Sequence, residues 1–181
     1  MYVPTMMFFT KGVGRHRERL TSFEMALRKA QIAQFNLVKV SSIFPPNCRI
    51  IPRSKGLLML KPGQIVHCVM SEISCNEPHR LISASIGAAI PKERKKYGYL
   101  SEHHGFGQTQ REAGDYAEDL AADMFATIMG LEVDVLSSYD EQKELWRLGN
   151  EIVHSTNITQ SAVGPKDGSW ITVIAVAIFI Q

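Results

Sequence analysis

The stretch that most restricts how this chain can fold is Phe35–Cys48, FNLVKVSSIFPPNC. Phe35, Leu37, Val38 and Val40 are aromatic, aliphatic or β-branched and read as a strand. Pro45-Pro46 removes two backbone donors and fixes two φ angles, so a sheet ladder has to stop there. Ser41 and Ser42 are clamped between the strand and the stiff diproline. One reading is that they end the strand and bond nearby backbone, as serines do in turns. The other is chemical. A serine hydroxyl lies within reach of the carbonyl just before it, and in a distorted peptide the Ser42 hydroxyl can attack the Ser41 carbonyl.

Elsewhere the pattern alternates between strands and helices. Thr5–Thr10 is a predicted first strand, and the basic, glycine-containing Lys11–Arg19 a predicted loop. That loop has no interleaved aromatics and reads as solvated rather than as a nucleic-acid contact. Its GVG lacks the third glycine of a dinucleotide fingerprint. Thr21 or Ser22 can cap a helix running to about Ile32, with Phe23, Ala26, Leu27 and Ala30 as its buried stripe. Leu57–Leu60 and Gln64–Ile73 read as strands around Lys61-Pro62-Gly63. Leu81–Ile90 reads as a closely packed strand, and Tyr97–Ser101 as a short strand that delivers Glu102 ahead of a glycine turn. Gln108–Gly130 is the longest predicted helix, and a short one is expected at Ser138–Gly149, with Leu145 and Trp146 packing inward. Glu151–Val163 and Ser169–Ile180 read as a hairpin closed by Gly164–Gly168. Strands outnumber helices and meet as hairpins, which favours one α+β domain over residues 1–181 with a largely antiparallel sheet.

Composition excludes several classes. A formal net charge of +2 is too small to imply a polyanionic partner, so no nucleic acid is expected. Cys48, Cys68 and Cys75 are odd in number and form no CxxC, which suits reduced thiols in a cytoplasm. MYVPTMMFFT has no basic region ahead of its apolar run and does not read as a signal peptide. Trp170–Ile180 is about half the length needed to span a bilayer as a helix. It reads as a buried strand, and no membrane association is expected.

The run FEMALRKAQIAQFNLVKVSSIFPP resembles the self-processing region of the pyruvoyl-dependent arginine decarboxylases. The matching features are Phe23, an acid at Glu24, Ala26-Leu27, Ala30, Ile32, Asn36-Leu37, Ser41-Ser42-Ile43 and Pro45-Pro46. SASIGAAIPK at Ser83–Lys92 is a second match, and Glu102 followed by Gly105 ahead of the long helix a third. The matches keep their order and cover most of Ser22–Met129; the family's Asp is replaced by Glu24, and the segment after Leu131 matches less well. The resemblance implies a four-layer αββα sandwich, assembled as a trimer of processed αβ units with active sites between subunits. It implies cleavage between Ser41 and Ser42 into a β chain 1–41 and an α chain 42–181, with Ser42 converted to a covalent pyruvoyl group. The implied activity is decarboxylation of L-arginine to agmatine, an entry to polyamines.

Decarboxylating an amino acid leaves negative charge on Cα, and a pyruvoyl ketone supplies the electron sink that pyridoxal phosphate provides elsewhere. A general acid must then return a proton to Cα. Glu102 is the candidate, since partial burial favours a protonated carboxyl; the other reading is an exposed turn residue. Asn36 is disfavoured inside a strand. The resemblance gives it, with Ser41, contact to the pyruvoyl or substrate carboxylate region; otherwise it bonds nearby backbone. Glu24 has two readings: the family's acid for the cationic end of the substrate, or the last member of a Thr21-Ser22-Phe23-Glu24 capping box. An acid at the far end of the pocket would repel a carboxylate, which favours arginine over aspartate as substrate. An unprocessed trimeric binding protein is the alternative of another class. His103 and His104 point opposite ways on a strand, and no further ligand completes a metal set, so no metal is assigned.

Overall fold

The computed structural model describes residues 2–130, 139–140, 145–148 and 151–181. The elements in chain order are β1 (Met6–His16), α1 (Arg19–Lys29), β2 (Asn36–Lys39), β3 (Ile43–Phe44), β4 (Arg49–Ile50), α2 (Arg53–Leu58) and β5 (Ile65–Cys75). Then come β6 (Leu81–Pro91), β7 (Gly98–Phe106), α3 (Gln110–Ile128), β8 (Tyr139–Asp140), β9 (Leu145–Leu148), β10 (Glu151–Val163) and β11 (Trp170–Ile180). One sheet has the order β2-β5-β11-β1-β4 and the other β3-β7-β6-β10-β9-β8. The β2–β5 and β1–β4 pairs are parallel and the remainder antiparallel.

Burial defines four layers. The central core, which includes Met7, Val69, Ile86, Leu100 and Val173, lies between the sheets. A second cluster of Phe8, Ala26, Ile32, Met70 and Ile174 seals α1 onto the first sheet, and a third of Ala89, Ala121, Phe125 and Val153 seals α3 onto the second. The fold is therefore an αββα sandwich of the α+β class, as the resemblance implies. Strand β11 is buried from Ile171 to Ile180 because both of its faces and both of its edges are covered.

Lys11–His16 is strand, not loop. Along KGVGR the glycines alternate with Lys11, Val13 and Arg15, so the period-2 pattern is present but the face toward α1 carries no side chain. Close helix packing is the reason. A Cβ on Gly12 would come within 2.1 Å of the Ala26 carbonyl oxygen, and one on Gly14 within 2.1 Å of that of Ser22, so α1 rests directly on the β1 backbone. On the opposite face the Lys11 ammonium donates to the Thr159 carbonyl at 2.8 Å, tying the two sheets together. Gly14→Ala forces helix and strand apart; it is expected to destabilise by about 1–3 kcal/mol, the usual cost of overpacking, and to lower the urea midpoint. An unchanged midpoint would mean that α1 is free to shift.

Four other expectations are corrected. Leu57–Leu60 is no strand: α2 runs through Leu58, with Gly56 seated against the Phe8 ring. Gly164–Gly168 closes no hairpin. It carries the chain from β10 in one sheet to β11 in the other, where Asp167 accepts from Arg15 at 2.7 Å and from Ser169 Oγ at 2.7 Å. The expected helix at Ser138–Gly149 gives way at Tyr139–Asp140 and Leu145–Leu148 to strands β8 and β9; the remainder of that segment lies outside the described residues. Glu102 sits in the middle of β7 rather than past the end of a strand.

Candidate active site

Strand β2 runs parallel to β5 from Asn36↔Ile65 to Lys39↔Cys68, and Val40 adds one more bond, its N–H donating to the Cys68 carbonyl at 2.9 Å. Three residues later the chain is in the other sheet. Leu100 N–H donates to the Ser42 carbonyl at 2.8 Å, and Ile43 and Phe44 pair with Tyr99 and Gly98. The Ser41–Ser42 peptide is thus slung across the gap between two sheet edges and anchored on both sides by backbone bonds. The Ser41 carbonyl accepts the Ile43 N–H at 3.0 Å. That donor is aimed at the oxygen on which charge develops when the Ser42 hydroxyl attacks, the arrangement that stabilises an oxyanion. Past the diproline, Asn47 takes φ 58° and donates its N–H to the Arg94 carbonyl at 2.7 Å, which fixes the far end of the crossing.

Glu102 reaches the same gap from β7. In a parallel ladder a residue that donates to residue j of its neighbour accepts from residue j+2, so a continuing β2 would offer its Val40 carbonyl to Met70 N–H. The Glu102 carboxylate bonds the Met70 N–H there. The acid therefore stands beside the backbone that leads into Ser41. Glu102 is exposed at this sheet edge, yet the protein packed on one side of it displaces enough water to push its carboxyl above the ordinary value, against the opposing pull of Lys39, the Met70 N–H and His104. A carboxyl so placed holds its proton to higher pH than a free glutamate does.

Lys39, the last residue of β2, bonds Glu72 of β5 at 2.8 Å. Together with Asn36, Phe23, Leu27 and Met70 these two line a cavity of about 470 Å³ between α1 and the sheet edge. A larger cavity of about 750 Å³ adjoins Ser41 and is walled chiefly by apolar groups, among them Val40, Ile43, Pro45, Tyr97 and Phe179. Sequence reasoning passed over Lys39 and Glu72, whose pairing spans 33 positions and has no local signal.

Asn36 lies at the opposite end of β2 from Ser41, and its side-chain amide donates to the Gly63 carbonyl at 2.7 Å. The four residue steps to Val40 span about 13 Å of extended chain, so Asn36 and the Ser42 of its own chain are not brought together. Glu24 is not a capping residue. Helix α1 begins at Arg19, with Glu18 at the N-cap, and Thr21 already lies inside it. The Glu24 carboxylate instead accepts from Arg28 Nε at 3.0 Å. It stands next to Phe23, which lines the smaller cavity, without lining that cavity itself. His103 and His104 separate: the His103 ring packs on Tyr116 of α3 and bonds Gln108 at 2.6 Å. Among the described residues no cluster of three or more His, Cys, Asp or Glu could hold a metal. Cys48, Cys68 and Cys75 are buried and free, and burial pushes the thiols of Cys48 and Cys68 up to about 11.

A serine pair in a peptide that bridges two sheet edges, with an acid at its flank, marks this crossing as the candidate site of an α+β protein. Comparison with known proteins narrows this class. Residues 6–181 match the family model of the pyruvoyl-dependent arginine decarboxylases. The chain is 55% identical over 179 residues to a probable pyruvoyl-dependent arginine decarboxylase of Chloroherpeton thalassium, covering 99% of this chain and 98% of the relative. It is 49% identical over 178 residues to pyruvoyl-dependent arginine decarboxylase 2 of Methanosarcina mazei, covering 98% and 97%. A probable pyruvoyl-dependent arginine decarboxylase of Chlorobaculum tepidum is 54% identical over 179 residues, covering 99% and 98%. The chain belongs to the pyruvoyl-dependent arginine decarboxylase family.

Proposed function

We propose that this chain cuts itself between Ser41 and Ser42 and, as a β chain 1–41 and an α chain 42–181, decarboxylates L-arginine to agmatine and carbon dioxide, an entry to polyamines. The observation that carries this reading is the anchored Ser41–Ser42 crossing beside Glu102. The Ser42 Oγ attacks the Ser41 carbonyl carbon, and the amide becomes an ester with the Ser42 nitrogen released as an amine. Loss of the Ser42 Cα proton then expels the Ser41 carboxylate, and water replaces the nitrogen as ammonia to leave a pyruvoyl group at position 42. The Ile43 N–H supports the first step by holding the Ser41 oxygen. A pyruvoyl group at position 42 would be held by the backbone bond of Leu100 to residue 42 and would supply a ketone as the electron sink for the substrate's Cα. Glu102 holds the proton that Cα then needs and delivers it from its carboxyl oxygen, while the Ser41 terminus lies against the substrate.

The separation of Asn36 from Ser42 supports active sites shared between copies of the chain, with the Asn36 of one protomer serving another. Exposed Val3, Ile43, Tyr97 and Ile128 supply apolar surface for that assembly, a trimer of αβ units. No described helix is long and apolar enough to cross a membrane, and three free thiols suit a reducing cytoplasm.

Glu24 binds the guanidinium of the substrate in this reading. Its present partner is itself a guanidinium, that of Arg28, held through one nitrogen. An exposed i,i+4 pair contributes only about 0.3–0.5 kcal/mol, so an incoming arginine able to form paired bonds can displace it. Glu24→Gln keeps the size and removes the charge. A hydrogen bond to a charged group contributes roughly 1.5–3 kcal/mol, so the KM for arginine is expected to rise about 10- to 150-fold while the melting temperature barely moves. Agmatine release from L-arginine, with L-aspartate as the competing substrate, is the direct assay. Preference for aspartate, or unchanged arginine kinetics in Glu24→Gln, would remove Glu24 from the site.

A further inference from the structure

We propose that Ser71 is a positioning residue for Glu102: its buried hydroxyl spans the space between the two sheets and pins the β7 backbone at the residue next to the acid. The inference rests on the reading of Glu102 as the general acid.

Burial and bonding come first. Ser71 lies on the face of β5 that meets the central core, in step with Val69 and Ile73, and is 2% exposed. A hydroxyl in such a place costs stability unless it is bonded, and an alanine would avoid that cost. The Ser71 Oγ donates to the His103 carbonyl at 2.6 Å. Strand β5 belongs to one sheet and β7 to the other, so no ladder sets the distance between them. The Ser71 bond sets it at this point.

Adjacency is the second argument. Met70 precedes Ser71 on β5, and Glu102 precedes His103 on β7. The Met70 N–H bonds the Glu102 carboxylate. Two consecutive residues of β5 thus hold two consecutive residues of β7, one at the acid itself and one at the backbone beside it. On the other face of the sheet the His103 ring packs on Tyr116, with 4.5 Å between centroids, and bonds Gln108 at 2.6 Å. Residue 103 is therefore gripped from both faces. Glu102 is exposed, and a free glutamate side chain samples many rotamers. Fixing the backbone beside it keeps the carboxyl at the crossing. Misplacing a catalytic group by 1 Å can cost on the order of 10²-fold in rate.

The test is a double-variant cycle on the full, processed chain, read by agmatine release from L-arginine. Ser71→Ala should lower kcat by about 10- to 100-fold, with KM and the extent of cleavage between Ser41 and Ser42 unchanged. Ser71→Cys fills the same space with a much weaker donor and should fall with it. In the Glu102→Gln background Ser71→Ala should cost less than about twofold more, because the group it positions is already gone. Unchanged kcat in Ser71→Ala, an equal loss in both backgrounds, or loss of cleavage would overturn the proposal. So would full turnover in Ser71→Cys, which would make the filled space rather than the bond the thing that matters. Failure of the underlying reading looks different: Glu102→Gln then turns over at the full rate.

Discussion

Ser42→Ala should leave a single uncut chain with no decarboxylase activity. The substitution deletes the one oxygen that can attack the Ser41 carbonyl, and no pyruvoyl group can arise from alanine. The fold should persist, because the crossing is held by backbone bonds from Val40, Leu100 and Ile43 rather than by the hydroxyl. Denaturing electrophoresis reads the first outcome and agmatine release the second, with an unchanged circular dichroism spectrum as the control. Ser41→Ala keeps the attacking oxygen and should still be cut. Cleavage at the same bond in Ser42→Ala would sink the acyl-shift mechanism.

Glu102→Gln carries the second large effect. Glutamine matches glutamate in shape and its amide oxygen can still accept the Met70 N–H, so the gap between the sheets should stay closed. It cannot protonate a carbanion. Loss of general acid catalysis typically costs 10²–10⁴-fold in rate, and turnover should fall by about that much in protein that is still processed. The alkaline limb in the pH dependence of kcat should vanish with it. The sign follows from the raised carboxyl: the acid is loaded below its folded pKa and empties as pH rises through that value, which burial has moved upward. Full turnover in Glu102→Gln would make Glu102 a structural bridge to β5 and nothing more.

Much of the architecture is written in local patterns. The apolar run Ile171–Ile180 has to be buried, the small residues of Leu81–Ile90 have to lie close under a helix, and the stripe along α3 has to face a sheet. Patterns that depend on partners are hidden. Gly12 and Gly14 look like loop residues until α1 is laid over them. Gly164–Gly168 is composed like a hairpin turn, and nothing in its residues says that its two strands belong to opposite sheets. Thr21-Ser22-Phe23-Glu24 fits a capping box, yet the helix starts earlier; the box that forms is Thr109 with Glu112, whose Oε2 accepts from Thr109 N–H at 2.8 Å.

The site divides in the same way. The Ser41–Ser42 peptide between a strand and a diproline is visible in fourteen consecutive residues. Its distinguishing geometry, a crossing from one sheet to the other, depends on β5 and β7, which come later in the chain. Glu102 can be picked out by its setting, but its bond to Met70 and its proximity to Lys39 join three strands from both sheets. Asn36 illustrates the limit. Five positions from Ser41 looks close in sequence, whereas an extended strand sets the two at opposite ends of β2, with Asn36 bonded to Gly63.

Mass spectrometry of the purified, denatured protein tests the central claim most directly. The account predicts two fragments divided between Ser41 and Ser42, with the larger one blocked to amino-terminal sequencing because it begins with a ketone rather than an amine. A single species of 20.3 kDa with the Ser41–Ser42 bond intact, in protein that releases agmatine from arginine, would contradict it.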